Sequence, residues 1–497
     1  MNRSGTVAGL SAAVLLLAGC ASTSTESSAP RQGAMAEHPA LSGWQLDCGL
    51  GAYEKALNVS WLQDCVARAS HTKGSKEEMW AAVNPKDPRN VVIGTKDLNP
   101  DSSDLCVWNG VFVTKDAGAT WKDVTIGGKF AERPPSSPFY GYACNTDPDF
   151  RFTSNGDLHY GVEMYGLCPP APVPDTVCQT NAHGSSVGWK IVLATSHDGG
   201  ETWPDVITYK TDTLGTTDYS RMTIDPKTQA IAESIGSGDC MVMVSTDNGQ
   251  TALFYQAITP MGTPCSSNNG AIAGSPGGTL VIVGNGIAAR STNDGVTWTD
   301  ANSIFSYKGI GQFKEQKARD GSNLELAYDL TSGPNKGVLY AAYGAADRDE
   351  ADVYVRSSHD DGKTWSDAVL VNQDPAGTHQ WMPNIAVAGD GSVHVAFMDK
   401  SYDVAHNHTF IDITHAVSDD GGKTWKTERV TQHSFDADKG VHQDGFPFIG
   451  DYLGIDCVGA DCWMGFPDSS MGGVPVAAAA HTHMALNVTV PSHDVHA

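Results

Sequence analysis

Six copies of one short turn motif recur along the chain and constrain its fold more than any other feature. Each copy follows the pattern Ser/Thr-x-Asp-x-Gly-x-Thr-Trp, and the copies begin at Thr114, Ser196, Ser245, Ser291, Ser358 and Ser418. Successive copies start 82, 49, 46, 67 and 60 residues apart. These intervals are too long for a single hairpin and suit a four-stranded sheet with its loops. Each copy therefore marks one sheet of a repeated fold.

The motif has a structural explanation of its own. An Asp side chain accepts hydrogen bonds from turn amides, Gly supplies positive φ where the chain reverses, the Thr hydroxyl closes the loop, and Trp begins the next strand. The two departures are Asn293 in place of Asp and Ala252 in place of Trp, and a turn tolerates both. We therefore interpret the six motifs as scaffold.

Strand-like segments follow one another in a constant order between the motifs. Runs such as 149–153, 219–225 and 381–387 predict innermost strands. A turn and a more apolar run follow, which predicts the second strand of each sheet; these runs are 91–94, 158–161, 280–283, 338–343 and 393–397. No long amphipathic helix pattern competes with them, so the chain is all-β.

The repeats resemble the Asp boxes of the sialidase-like, or BNR-repeat, β-propellers. The resemblance implies four-stranded blades around a central channel, one blade for each box. Residues 446–452, 462–466 and 478–490 supply about three more strands without a box. A strand from residues 44–83 would complete a seventh blade, so we expect seven. Six blades, the number in true sialidases, is the alternative.

The N-terminus has the order of an export signal. Arg3 precedes an apolar run from Val7 to Leu17, and Leu17-Ala-Gly-Cys20 resembles the lipobox of bacterial lipoproteins. We expect residues 1–20 to be removed up to a lipidated Cys20, and residues 21–43 to form a flexible tether. Residues 44–490 would then form a single propeller domain with a tail at 491–497. The predicted location is an exported, membrane-anchored lipoprotein of the outer membrane, periplasm or cell surface.

Charge and cysteine content agree with export. Without the leader the chain carries 31 Lys and Arg against 57 Asp and Glu, a net charge of −26, which disfavours nucleic acid and anionic lipid as partners. Membrane contact is expected through the lipid anchor alone. Ten Cys remain, which predicts disulfides, and no CxxC spacing suggests a zinc site or redox centre. We therefore expect no metal site and no cofactor. The local pairings considered are Cys168/Cys178, Cys457/Cys462, Cys48/Cys65, Cys106/Cys144 and Cys240/Cys265.

The resemblance also implies where a site would lie. Sialidases hold the substrate carboxylate with three arginines and use a Tyr nucleophile paired with a Glu, and an Asp acid/base, at one mouth of the channel. The family's Arg-Ile-Pro element is missing here. Arg151, Arg221 and Arg319 fall at or just before proposed inner strands and are the candidates for the arginine clamp. The alternative is that they form isolated surface or inter-blade pairs.

Further candidates come from the same comparison. Asp147, Asp149 and Asp218 are candidate proton donors at the starts of inner strands, unless they cap turns. Tyr452 is the candidate nucleophile, with Glu163 or Glu233 as its partner. Asp444 and Trp381 are candidates for binding a sugar, the indole by stacking on the ring, although Trp381 equally suits a core position.

Two functions of different classes follow. The first is an exported glycoside hydrolase of exo-sialidase-like type that acts on surface or extracellular glycans, which the resemblance favours. The second is a non-catalytic propeller that binds a glycan or protein at the cell surface, which the missing Arg-Ile-Pro element and the acidic net charge favour. The sequence indicates neither the ligand nor the oligomeric state.

Overall fold

Antiparallel sheets account for nearly all of the regular structure in the described part of this protein, which comes from a computed structural model. The structure describes residues 62–63, 66–70, 74–98, 107–129, 132–140, 142, 144–167, 178–180, 186–210, 218–236, 240–265, 270–374, 377–404, 408–431, 433–440, 447–459, 461–470 and 475–482. The predicted leader, tether and tail lie outside these residues, as do Cys20 and Asp444. Within the described residues no helix is long and apolar enough to cross a membrane.

Blades 1 to 3 each run outward in chain order. Blade 1 contains β3 (Lys76–Val83), β4 (Val91–Asp97), β5 (Trp108–Thr114) and β6 (Lys122–Thr125). Blade 2 contains β7 (Cys144–Phe152), β8 (Leu158–Leu167), β10 (Ser186–Ser196) and β11 (Asp205–Lys210), with β9 (Cys178–Thr180) paired to β10. Blade 3 contains β12 (Asp218–Ile224), β13 (Ile231–Gly236), β14 (Met241–Ser245) and β15 (Leu253–Gln256).

Blades 4 to 6 repeat the arrangement. Blade 4 contains β16 (Ala271–Gly274), β17 (Leu280–Gly284), β18 (Ile287–Ser291) and β19 (Asp300–Ser303). Blade 5 contains β20 (Leu324–Tyr328), β21 (Leu339–Ala345), β22 (Asp352–Ser358) and β23 (Val369–Leu370). Blade 6 contains β24 (Gln380–Val387), β25 (Val393–Asp399), β26 (Asp412–Ser418) and β27 (Lys426–Arg429), and a short 3-10 helix (Ala437–Lys439) follows it.

Blade 7 joins the two ends of the propeller. It contains β28 (Gly454–Val458), β29 (Asp461–Asp468) and β30 (Val476–Thr482), and its outer strands are β2 (Val66–Arg68) and β1 (Leu62–Gln63). Each innermost strand packs on the next around the ring, and β28 packs on β3. Gly454 permits this closure, because a Cβ there would lie 2.4 Å from the backbone nitrogen of Ala81. The predicted seven-bladed propeller and its N-terminal closing strand are confirmed. The predicted strand at 446–452 is wrong in position: residues 447–453 form no strand, and the inner strand of blade 7 begins at Gly454.

The burial of each strand follows its place in the blade. Residues of β4 are all buried, as its apolar sequence predicts, whereas the outer strand β6 has exposed ends. Adjacent blades share one packed layer: Trp80 and Val92 of blade 1 lie in the same cluster as Phe150 and Leu158 of blade 2. The predicted first and second strands therefore have the expected positions, because strands buried on both faces read as continuous apolar runs.

The six Asp boxes connect the third and fourth strands and share one hydrogen-bond pattern. In the sixth box, Asp420 accepts from the Ser418 hydroxyl (2.8 Å), the Thr424 hydroxyl (2.6 Å) and the Thr424 N–H (2.9 Å). Ser418 Oγ in turn accepts the N–H of Gly422 (2.8 Å), whose φ is 81°. Burial raises the pKa of Asp420, but these donors outweigh it and lower the pKa to about 2. The boxes are scaffold, as predicted.

Two predicted cysteine pairs are disulfides. They are Cys240–Cys265 in blade 3 and Cys457–Cys462 in the first hairpin of blade 7. Cys144 is also disulfide-bonded. Cys48, Cys65, Cys106 and Cys168, from the other predicted pairs, lie outside the described residues, and so does the side chain of Cys178.

Candidate functional site

Four inner strands begin with the same irregularity. The pairing of β3, β7, β12 and β24 with their neighbours shifts register near the start of each strand. One non-glycine residue in each shift has positive φ, between 49° and 60°; these are Glu78, Asp147, Tyr219 and Met382. Such backbone is costly and is concentrated at functional sites. We call the side of the propeller where the inner strands begin the bulge face; the Asp boxes lie on the opposite side.

Arg221 is the centre of the polar contacts at the bulge face. Its Cζ lies 3.9 Å from the ring centroid of Tyr219, 4.2 Å from that of Tyr452 and 5.0 Å from that of Trp80. Its Nε donates to Glu325 Oε1 (2.9 Å), and Nη1 donates to the Ser220 carbonyl (2.9 Å). Nη2 has no hydrogen-bond partner among the residues that the structure describes. The Arg221 cluster, defined as Trp80, Tyr219, Arg221, Glu325 and Tyr452, thus joins blades 1, 3, 5 and 7.

Both tyrosine hydroxyls of the Arg221 cluster bond to carboxylates. The Tyr219 hydroxyl donates to Glu325 Oε1 (3.2 Å), and the Tyr452 hydroxyl donates to Asp147 Oδ1 (3.4 Å). Burial raises the pKa of each tyrosine well above 10, and the positive charge of Arg221 acts in the opposite direction. Each hydroxyl is therefore protonated at neutral pH and has an acceptor positioned to receive its proton.

The neighbouring carboxylates have raised pKa values. Burial raises the pKa of Asp149 to about 6, although Arg151 and Arg221 oppose the shift. Burial raises the pKa of Glu78 well above its usual value; Lys96 opposes this rise and Asp147 adds to it. A carboxyl that titrates near pH 6 is suited to general acid catalysis in mildly acidic solution.

The structure brings three of the predicted catalytic residues together and separates one. Asp147, Asp149 and Tyr452 lie at the bulge face; Asp147 also accepts the Tyr219 N–H at 3.3 Å. Glu233 is buried on β13, with its carboxylate against Gly161 of blade 2. The Tyr452 hydroxyl bonds to Asp147 and to neither predicted glutamate. Asp218 begins β12, but its side chain lies outside the described part of the chain.

Each predicted clamp arginine pairs with a carboxylate of the chain. Arg151 lies 3.3 Å from Asp149 Oδ1 and against Trp80, and Arg221 pairs with Glu325. Arg319, half of whose side chain is exposed, pairs with Asp451, the neighbour of Tyr452. A ligand carboxylate would therefore compete with carboxylates already present.

Trp381, the predicted stacking platform, is a core residue in this structure. Its ring is fully buried and packs edge-on against Phe313, with a centroid separation of 5.1 Å. The Lys400 ammonium lies 5.5 Å from the indole centroid. Neither ring face is open to a sugar in this arrangement.

Three residues of the Arg221 cluster were not predicted from the sequence: Trp80, Tyr219 and Glu325. Alignment of the irregular inner strands would have found Trp80 and Tyr219. Trp80 ends the register shift of its strand, as Arg221 does, and Tyr219 has the positive φ that Asp147 also has. The strand that contains Glu325, β20, pairs with β21 without a register shift. The contact of Glu325 with Arg221, 104 residues earlier, depends on how blades 3 and 5 meet.

Comparison with family models identifies the repeat. The BNR/Asp-box repeat family model matches residues 416–427, which contain the sixth box. No curated protein matches the chain in sequence.

Three solved structures illustrate the structural likeness. A protein of unknown function from Dyadobacter fermentans is 13% identical with a TM-score of 0.44, over 84% of this chain and 99% of that one. A leech intramolecular trans-sialidase is 12% identical with a TM-score of 0.44, over 78% and 72%. The intramolecular trans-sialidase from Ruminococcus gnavus is 10% identical with a TM-score of 0.42, over 85% and 97%. The chain is therefore a seven-bladed β-propeller with six Asp-box turns, and the repeat model matches one of these turns.

Proposed function

We propose that the protein is an exported, lipid-anchored glycoside hydrolase whose site is the Arg221 cluster at the bulge face. The observation that carries the proposal is the hydrogen bond from the Tyr219 hydroxyl to Glu325, beside the Arg221 guanidinium. A phenol paired with a carboxylate is a nucleophile with a base in contact. Tyr452 and Asp147 form a second such pair on the other side of Arg221.

The reaction follows from these contacts. Tyr219 Oη forms a bond to the anomeric carbon of a sugar while its proton passes to Glu325 Oε1. The bond from that carbon to the leaving oxygen breaks, and the leaving oxygen takes a proton from Asp147 or Asp149. Water then releases the sugar by the reverse proton transfers. Because burial raises the pKa of Tyr219 well above 10, its hydroxyl keeps its proton until Glu325 accepts it.

The test is turnover of a panel of fluorogenic glycosides, sialosides included, by the full mature chain between pH 4.5 and 8. Tyr219→Phe and Glu325→Gln should each lower kcat by about 10²-fold or more. The control is Tyr255→Phe on the outer strand of blade 3, which should leave kcat unchanged. Asp149→Asn distinguishes the two candidate proton donors. If Asp149 is the acid, kcat of the wild type falls as pH rises above about 6, and this fall is absent from the variant. Folded wild-type protein with no turnover on any glycoside would refute the proposal.

A second function, a non-catalytic propeller that binds a glycan or a protein, has its own support. All three candidate arginines already pair with carboxylates of the chain, and Arg221 is only 2% exposed. This alternative predicts retained binding on a glycan array, or to a surface protein, by wild-type protein that turns over no substrate. Arg319 is the most exposed of the three arginines, so Arg319→Ala should then alter binding more than Tyr219→Phe does.

A further inference from the structure

Two cysteines and a histidine meet at the boundary between blades 6 and 7, on the Asp-box side. Cys457 and Cys462 are register partners across the β28–β29 hairpin and are joined by a disulfide. His394 on β25 is buried beside them. A ring nitrogen of His394 and the two Sγ atoms all lie within 4.8 Å of one another. Within the described ranges, no other three His, Cys, Asp or Glu side chains converge in this way.

Backbone contact fixes the two elements against each other. The N–H of Gly389, in the turn before β25, donates to the carbonyl of Gly459, in the turn of the cysteine hairpin (2.5 Å). A Cβ at Gly389 would lie 3.0 Å from Gly459 Cα, so the two turns touch. The imidazole and the sulfurs are therefore held by docked strands, and no loop needs to close to bring them together.

The histidine is already oriented by a hydrogen-bonded chain. One ring nitrogen of His394 bonds to Ser392 Oγ (2.8 Å) and the other to His415 Nε2 (2.9 Å). His415 in turn bonds to Glu428 through Nδ1 (3.2 Å). Metal-bound histidines use one nitrogen for the ion and the other for such a chain, which fixes the ring. His394 would exchange one hydrogen bond for a metal and keep the other.

We propose that reduction of the Cys457–Cys462 disulfide turns this group into a two-cysteine, one-histidine site for Zn²⁺ or a similar thiolate-binding cation. Cysteines separated by four residues fit the ligand spacing of zinc sites. At a Zn–S distance of about 2.3 Å, two sulfur ligands of a tetrahedral site lie about 3.8 Å apart. The ligand atoms of this group lie within 4.8 Å of one another, so the site needs only small side-chain movements. Water occupies the fourth position. Thiolate and imidazole ligands select against Ca²⁺ and Mg²⁺.

A phosphine can supply the electrons that reduce the Cys457–Cys462 disulfide. The disulfide accepts two electrons and two protons to give two thiols, and the phosphine becomes a phosphine oxide with oxygen from water. Both thiols release their protons when they bind the cation. The S–S bond and the metal site exclude each other, so oxidation releases the metal. The site is independent of the proposed hydrolase, because it lies on the opposite face.

The test compares two disulfide variants of the full mature chain after treatment with a phosphine. Cys240→Ser/Cys265→Ser keeps the proposed site, whereas Cys457→Ser/Cys462→Ser removes it, and each loses one disulfide. We expect the first to bind one more equivalent of Zn²⁺ than the second in competition with a chromophoric chelator. With Co²⁺ as probe, only the first should show charge-transfer absorption from thiolate to cobalt.

His394→Gln tests the histidine, and circular dichroism monitors folding throughout. The affinity of the reduced protein for Zn²⁺ should fall about 10- to 100-fold in this variant, and His415→Gln should have a smaller effect in the same direction. Equal Zn²⁺ binding by the two disulfide variants would overturn the proposal. So would a Cys457–Cys462 bond that is reduced only when the propeller unfolds.

Discussion

Glu233 offers the sharpest test of the buried electrostatics. Its carboxylate lies between blades 2 and 3, where a Cβ on Gly161 would come within 2.3 Å of Glu233 Oε1. Burial raises the pKa of Glu233 from 4.5 to about 8; Asp149 adds to the rise and the Ser220 hydroxyl opposes it. Folded protein therefore holds a proton on Glu233 at neutral pH. We predict that Glu233→Gln, which is neutral at every pH, is more stable than wild type above about pH 5.

The sign and size of this stability difference follow from proton linkage. A raised pKa means that the folded state binds the proton more tightly, so its contribution to stability is complete below pH 4.5 and is lost as pH rises to about 8. At about 1.4 kcal/mol per pKa unit, the loss is about 1 kcal/mol at pH 5, about 3 at pH 7 and at most about 5 above pH 8. The advantage of Glu233→Gln should therefore grow by about 2 kcal/mol between pH 5 and pH 7.

The assay is urea unfolding followed by tryptophan fluorescence and circular dichroism at pH 5, 7 and 8.5. Coincident transitions from the two probes establish that a free energy of unfolding is defined. The control is Glu132→Gln, the same substitution at an exposed glutamate. The reasoning is refuted if wild type and Glu233→Gln differ by the same amount at pH 5 and at pH 7, because Glu233 would then carry no raised pKa.

Two further predictions concern the scaffold. Gly454→Ala should destabilise the propeller by about 1 to 3 kcal/mol or more in thermal melts, since its Cβ would meet the backbone of Trp80 and Ala81 and separate blades 7 and 1. The control is Gly311→Ala, which should be neutral or slightly stabilising because no atom lies within 4 Å of its Cβ. Asn293→Asp should raise stability by about 0.5 kcal/mol at pH 7, because a carboxylate accepts the Thr297 N–H and hydroxyl that Asn293 Oδ1 now accepts alone; the gain should vanish below about pH 3, and a gain that persists there would contradict this explanation.

The local features of this fold were predictable from sequence. The Asp-box hydrogen bonds join residues no more than four apart, such as Asp420 and Thr424, so their pattern needs no tertiary information. The inner and second strands were also predictable, because strands buried on both sides carry continuous apolar sequence. Even the closing strand fell where expected, at Val66–Arg68, because the last three strands had no partner without it.

The candidate site was only partly predictable, because its contacts join distant blades. The sequence placed Asp147, Asp149 and Arg221 near the starts of inner strands and Tyr452 in a run near the C-terminus, and the ring brings them to one face. It gave no indication that Glu325 would bond to both Tyr219 and Arg221, or that Trp381 would be enclosed by Phe313. Periodicity reports which face of a strand is buried. The angle between blades decides which side chains of different blades come into contact, and the closure of the whole ring sets that angle.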